Sequence, residues 1–294
     1  MVTRRLRKSC FVRLFDKTPD GVVCPHFYEL VLSNGCPFGC TYCYLKLTFR
    51  GNSKPTLFTN DWALVQREVE AVRTGVFSTG ELADSLAVIP PLLQPAMQYF
   101  RSQESRYLLL VTKSTNTGII KAGSPTKQII VSFSVNSFAS ADKYEVGPPT
   151  PMHRLEAAQE LKDLGWRVRI RIDPVILDNG IEPYKGICEE VARLQPELVT
   201  VGTLRQYPGL FRFANEAPRS GLSRSWDGRM RYSISERIKV YEQIADWLGF
   251  QPSLCKETDE VWARLGWEFK GCNCTEGVGH VCSNPDFRRE GTGR

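Results

Sequence analysis

Along most of the chain, short apolar runs alternate with stretches whose apolar residues recur at helical spacing. Residues 27–33 read as a strand running into Asn34-Gly35. Asn60 or Asp61 can cap a helix that runs to about residue 74 and is closed by Gly75. Residues 76–78 form a short apolar run before Thr79-Gly80-Glu81, and a helix is expected around 95–100, after Pro90-Pro91. Residues 107–112, Tyr-Leu-Leu-Leu-Val-Thr, read as a buried strand, and 128–135 as another. Thr150 with Pro151 behind it starts a helix that Gly165 stops. Residues 167–172 alternate strictly, with Arg167, Arg169 and Arg171 on one face and Val168, Ile170 and Ile172 on the other. A helix over 184–194, a strand over 198–204, a helix over 237–248 with Ser235 ahead of it, a last strand over 252–256 and a short helix over 258–265 complete the series.

A repeated strand-then-helix order implies a parallel sheet covered by helices, either doubly wound or barrel-like. Such sheets carry their chemistry at the carboxyl ends of the strands. That rule nominates Cys36, Glu81, Lys113, Asn136, Asp173 and Arg205. Two regions break the rhythm: the loop 206–232 and the tail beyond Gly266.

Composition narrows the class. With 42% hydrophobic and 24% charged residues over 294 positions, disordered and fibrous classes are excluded. A chain of this size buries enough apolar surface to fold without staples, so its ten cysteines need another explanation. No membrane-spanning run and no signal peptide are expected, which points to a reducing cytoplasm, where clustered cysteines bind metal more often than they pair. The net charge of +6 is compatible with a nucleic-acid partner without establishing one.

Cys36-Pro-Phe-Gly-Cys40-Thr-Tyr-Cys43 crowds three thiols into one loop just past a strand. Three thiolates repel one another unless a cation holds them. A [4Fe–4S] cube held by three of them keeps one iron open to chelate a small molecule. Zinc is the competing occupant and would take a fourth ligand such as Cys24 or His26.

Cys-x-x-x-Cys-x-x-Cys after the first strand of a βα-repeat chain resembles the radical S-adenosylmethionine (SAM) superfamily. Thr79-Gly80-Glu81 resembles that family's motif for the SAM amino group. A narrower resemblance, from about residue 27 to 274, is to the spore photoproduct lyase-like relatives, which act on DNA lesions. It rests on Cys40-Thr-Tyr42-Cys43-Tyr44-Leu45, Gly80-Glu81-Leu82-Ala83-Asp84-Ser85-Leu86, Leu110-Val111-Thr112-Lys113-Ser114, Val131-Ser132-Phe133-Ser134-Val135-Asn136, Arg154-Leu155-Glu156-Ala157-Ala158 and Arg171-Ile172-Asp173-Pro174.

The resemblance implies a partial (β/α)6 barrel of the TIM type, with residues 1–26 as an N-terminal segment, 27–250 as the barrel and 251–294 as a cysteine-containing extension. It implies that Cys36, Cys40 and Cys43 hold a [4Fe–4S] cluster and that Glu81, Lys113 and Ser134 contact SAM, with Asp84 nearby. Arg171 is the expected partner of the SAM carboxylate, and Tyr42 and Tyr44 stand where the lyase's hydrogen-relay tyrosines stand. The reaction it implies is reductive cleavage of SAM to a 5′-deoxyadenosyl radical, fed by an external donor of the flavodoxin or ferredoxin type, followed by hydrogen abstraction from a DNA lesion or modified base. One departure stands out: the lyase's hydrogen-donor cysteine, a few residues ahead of its aspartate, has no counterpart, and Glu81 stands at about that position. The residues leave two other readings open, the same chemistry on a peptide or small metabolite, and a non-catalytic zinc-bearing nucleic-acid-binding module.

Cys255, Cys272, Cys274 and Cys282 form a second, less regular set, which suits an auxiliary iron–sulfur cluster, a zinc ion or free thiols. A thiol of this tail folded back into the barrel could also donate hydrogen. Between residues 205 and 232 six arginines interleave with Tyr207, Phe211, Phe213, Trp226 and Tyr232, a composition suited to phosphates and stacked bases.

Overall fold

The order of the strands decides between the two architectures left open by the sequence. The computed structural model describes residues 2–277. Its main sheet joins eight strands: Val12–Phe15, Phe27–Leu30, Gly75–Ser78, Arg106–Thr112, Ile129–Val135, Arg167–Val175, Leu198–Thr203 and Ser253–Leu254. They lie side by side in chain order. A doubly wound sheet reverses its order in the middle; this one never does, so it curls in one sense as a partial barrel. From Phe27–Leu30 onward every pairing is parallel. Val12–Phe15 adds one antiparallel edge, so the segment ahead of residue 27 extends the barrel sheet.

Alternation along the strands sorts the two faces. Leu108, Leu110, Ile129, Val131, Phe133, Val168, Ile170, Ile172, Val199 and Val201 pack outward into the main core beneath the helices. Val76, Leu109, Val111 and Ile130 form a smaller apolar patch on the other face, with Cys274 against it. The helices that cover the outside include Trp62–Glu70, Leu93–Arg101, Pro151–Asp163, Lys185–Leu194 and Ile234–Leu248. Their caps follow from sequence. Asp61 accepts from Ala63 N and Thr150 from His153 N, each satisfying a first-turn amide that has no helical partner. Ser233, two residues ahead of the expected start, closes a reciprocal capping box with Glu236.

The tail is not an external appendage. Residues 271–276 run across the inner face, where polar strand positions receive them. Asn273 N donates to Thr200 Oγ1 at 3.0 Å, and Ser132 Oγ donates to Asn273 Oδ1 at 2.6 Å. Arg169, fully buried, donates through Nη1 to the carbonyls of Cys272, Asn273 and Thr275, and pairs with Glu197 at 2.7 Å. An arginine inside a barrel is tolerable only with this degree of satisfaction. No helix is long and apolar enough to cross a membrane among the described residues.

Candidate active site

At the carboxyl ends of the strands lies a pocket of about 330 Å³. The cysteine loop forms one side. Gly35 starts it at φ +77°, where a Cβ would stand 2.3 Å from Lys54 O, so only glycine fits. The loop is pinned by backbone bonds from Gly35 N to Leu82 O, Cys36 N to Ser53 O, Gly39 N to Val146 O and Thr41 N to Tyr144 O. Cys36, Cys40 and Cys43 all line the pocket. Burial first, and then the Asp84 carboxylate, pushes the Cys36 thiol well up; burial and Glu145 push Cys40 up to about 12. Three thiols held together and kept protonated in this way form a donor set that becomes favourable as thiolates once a cation joins it. Among the described residues no three His, Cys, Asp or Glu side chains close on a single-ion position.

Gly80, Glu81 and Asp84 come from the loop after Gly75–Ser78, and Lys113 and Ser134 from the next two strand ends; all line the same pocket. A Cβ on Gly80 would stand 2.5 Å from Val111 Cβ, so this glycine lets the loop lie on the neighbouring strand. Asp84 serves the protein itself. Its carboxylate accepts from Leu86 N, Ala87 N, Thr112 Oγ1 and Lys113 N at 2.6 to 3.0 Å, which fixes the backbone from which Lys113 projects. Lys113 Nζ lies 3.4 Å from Glu145, a carboxylate the sequence did not nominate. Glu145 also pairs with Arg154 at 2.5 Å and accepts from Tyr42 OH. Burial opposes ionisation of Glu145, but Lys113 and Arg154 together outweigh it and hold the carboxyl below its usual range. No sequence pattern marks Glu145; it reaches the site only because residues 144–146 pair with the cysteine loop.

The two tyrosines part company. Tyr42 is buried with its hydroxyl on Glu145, whereas Tyr44 is about 40% exposed and donates to Glu81 O. Arg171, expected from its strand face as a partner of the SAM carboxylate, lines the pocket with Nη2 donating to Asp173 at 2.6 Å and to Cys255 Sγ at 3.6 Å. Arg205 donates to the same two groups, at 3.0 to 3.1 Å. Asp173 and Arg205 are the two strand-end residues of the sequence rule that meet here.

The second cysteine set is only partly drawn together. Cys255, Cys272 and Cys274 line the pocket, with Cys24 beside them. Cys282 lies outside the described residues. Arg171 and Arg205 donate to the Cys255 sulfur, and Cys274 N donates to Cys272 Sγ. Cys24, which with His26 was offered as a fourth zinc ligand, has Lys256, Cys274 and Arg205 among its electrostatic neighbours. Cys188 is core, packed among Ile187, Val191 and Leu194. The arginine-rich loop also divides. Arg212, Arg219 and Arg224 are exposed with Tyr207, Phe213 and Trp226, but Arg229 and Arg231 are buried, Arg231 paired with Asp227 at 2.6 Å.

The chain matches no family model. Two curated relatives are spore photoproduct lyases, one from Clostridium acetobutylicum, 25% identical over 175 residues, and one from Bacillus subtilis, 23% identical over 181 residues. These alignments take in 56% and 58% of this chain and 52% of each relative, so the chain spans about half the length of the curated relatives it matches. A solved spore photoproduct lyase complexed with dinucleoside spore photoproduct superposes with a TM-score of 0.71 at 17% identity, covering 86% of this chain and 80% of that one. A variant of the lyase with bound AdoMet and the dinucleoside photoproduct gives 0.70 with the same coverage. Streptococcus suis SuiB bound to its precursor peptide SuiA gives 0.56 at 13% identity, over 80% of this chain and 49% of that one. The partial-barrel fold expected from the sequence is thus the fold of spore photoproduct lyase, and the chain is similar to the lyases in sequence as well.

Proposed function

We propose that this chain is a radical SAM enzyme of the spore photoproduct lyase kind that acts on a nucleic-acid lesion or modified base. The observation that carries the reading is the convergence of Cys36, Cys40, Cys43, Glu81, Lys113 and Ser134 on one pocket at the strand ends. The three thiols fit a [4Fe–4S] cluster, and Glu81, Lys113 and Ser134 fit a cradle for SAM. When bound, these groups supply reductive cleavage of the sulfonium and hydrogen abstraction by the resulting adenosyl radical. The electron comes from an external donor of the flavodoxin or ferredoxin type.

The chain's own residues set the conditions. Asp84 fixes the backbone at Lys113, and Glu145 holds its ammonium beside the cysteine loop. Tyr42 is committed to Glu145, so Tyr44 is the tyrosine with access to a substrate. Val111, Leu82 and Leu254 contribute apolar lining, which keeps water from a reactive species. The exposed aromatic and arginine side chains of the loop 206–232 offer stacking and phosphate contacts at the pocket's edge.

Anaerobic reconstitution tests the reading. About four irons per chain and SAM cleavage on reduction are expected, both lost when Cys36, Cys40 and Cys43 are replaced by alanine. Stoichiometric zinc without SAM cleavage would return the chain to the class of zinc-bearing binding modules. SAM cleavage without affinity for oligonucleotides would favour a peptide or small-metabolite substrate.

A further inference from the structure

Two guanidinium groups in the pocket wall share a single carboxylate. Arg171 and Arg205, with side chains 18% and 14% exposed, both bond Asp173, which is 7% exposed. Burial opposes ionisation of Asp173, but Arg205 and Arg171 hold it far below the usual carboxylate range, so it contributes one full negative charge against two positive ones. Cys255 Sγ accepts from both arginines. By direct contact two guanidinium groups meet one carboxylate, an excess of one positive charge in a largely desolvated wall, and Glu81 is the next carboxylate in the field of Arg171. Such an excess is costly until an anion joins it. Arg171 Nε, moreover, is a buried donor without a hydrogen-bond partner.

The excess grows toward the rim. Arg229 lies over the Tyr207 ring, 5.2 Å from its centroid, and shares Asp227 with Arg231. Lys256 Nζ stands 4.1 Å from the centroid of Phe15, with no carboxylate partner among the described residues. All four cations line the pocket. This end meets the cysteine-loop end at Glu81, which lies in the electrostatic field of Arg171 as well as of Tyr44. The charged neighbours of Cys43 are Lys113, Lys46 and Asp84, whereas those of Cys255 are Arg205, Asp173, Arg171 and Lys256. Tyr44 lies between the two ends, with both Cys43 and Arg171 among its electrostatic neighbours.

We infer that Arg171 and Arg205, with Arg229 and Lys256 at the rim, form an oxyanion site that takes a phosphate group of the substrate. The naming of a nucleic-acid phosphate rests on the proposed function, whereas the anion site rests on the charge arrangement alone. A planar guanidinium presents paired donors that match phosphate geometry, and two of them braced by Asp173 are already oriented. Cys255 sits against the donors and therefore reports occupancy.

The test uses the full chain under anaerobic conditions. Inorganic phosphate should protect Cys255 from maleimide alkylation, followed by peptide mass mapping, and chloride at equal ionic strength should not. The protection should fade in Arg205→Gln and in Lys256→Gln, the latter a partly exposed residue whose change leaves the Asp173 pairing intact. A thymidine dinucleotide should bind about tenfold tighter than its neutral methylphosphonate analogue, and Lys256→Gln should erase most of that difference. SAM affinity should be the same in Lys256→Gln and the parent. Absence of phosphate protection in the parent chain overturns the site. Loss of SAM affinity in Lys256→Gln with the phosphate increment retained also overturns it, and would assign these cations to the SAM carboxylate. Protection by phosphate without any dinucleotide affinity keeps the oxyanion site and removes the nucleic-acid reading, so the two failures are distinct.

Discussion

Glu197 illustrates how single side chains carry this barrel. It accepts from Arg167 and Arg169, and although burial opposes its ionisation, the two arginines hold its carboxyl below the usual range. A carboxyl lowered on folding stabilises the protein above its unfolded pKa, and the contribution disappears as pH falls through the folded value. The stability of Glu197→Gln should therefore trail the parent chain at neutral pH, with the gap starting to narrow below about pH 4 and closing only once the folded carboxyl is protonated, by chemical denaturation at a series of pH values. A gap independent of pH would mean that the ion pairs contribute nothing. The tyrosines make a second contrast at this scale. Tyr42→Phe deprives a buried carboxylate of a donor and should cost about 1–3 kcal/mol of unfolding free energy. Tyr44→Phe, with its ring half exposed, should leave the melting temperature close to the parent value while lowering substrate turnover. Equal losses of stability in the two variants would contradict the division of roles between them.

Among the elements, the interior segment 271–276 is the one that periodicity does not announce. It has neither helical nor strand patterning, and it is held by carbonyl and side-chain bonds to Ser132, Arg169 and Thr200. Arg169→Met should cost about 3 kcal/mol, since it removes one of the two arginine partners of Glu197 and leaves the carbonyls of Asn273 and Thr275 without their donor. Protease sensitivity of the tail should rise in parallel, and a variant with the parent's stability and an undigested tail would show that the segment docks by other means. The helix Ile234–Leu248 offers a milder check: Ser233→Ala removes the hydroxyl half of its capping box and should cost about 1 kcal/mol, read by thermal melting.

At the scale of the whole molecule, the pocket joins two chemical ends. One gathers thiols with Lys113 and Glu145, the other gathers arginines around Asp173 and Cys255. Arg212, Arg219 and Arg224 of the loop 206–232 are exposed, so association with nucleic acid should weaken with salt. Arg212→Gln with Arg224→Gln should flatten that salt dependence without unfolding the protein, whereas Arg231→Gln should unfold it, because Arg231 is buried against Asp227. A parent chain whose oligonucleotide binding is insensitive to salt would refute the electrostatic account.

The sequence by itself determined the alternation of strands and helices, the cysteine loop and the strand-end residues, because periodicity and motif spacing are local properties of the chain. It could not choose between doubly wound and singly wound sheets, since strand order is a matter of which edge each strand joins. Nor could it show that Glu145 anchors Lys113, that Asp84 spends its carboxylate on backbone amides, or that Cys272 and Cys274 lie inside the barrel. Those contacts join residues separated by tens to more than a hundred positions, and they were decided by tertiary structure, where burial forces each polar group to find a partner. The two arginines that share one aspartate belong to the same class: their excess charge exists only because the fold brings three strand ends together and keeps water out.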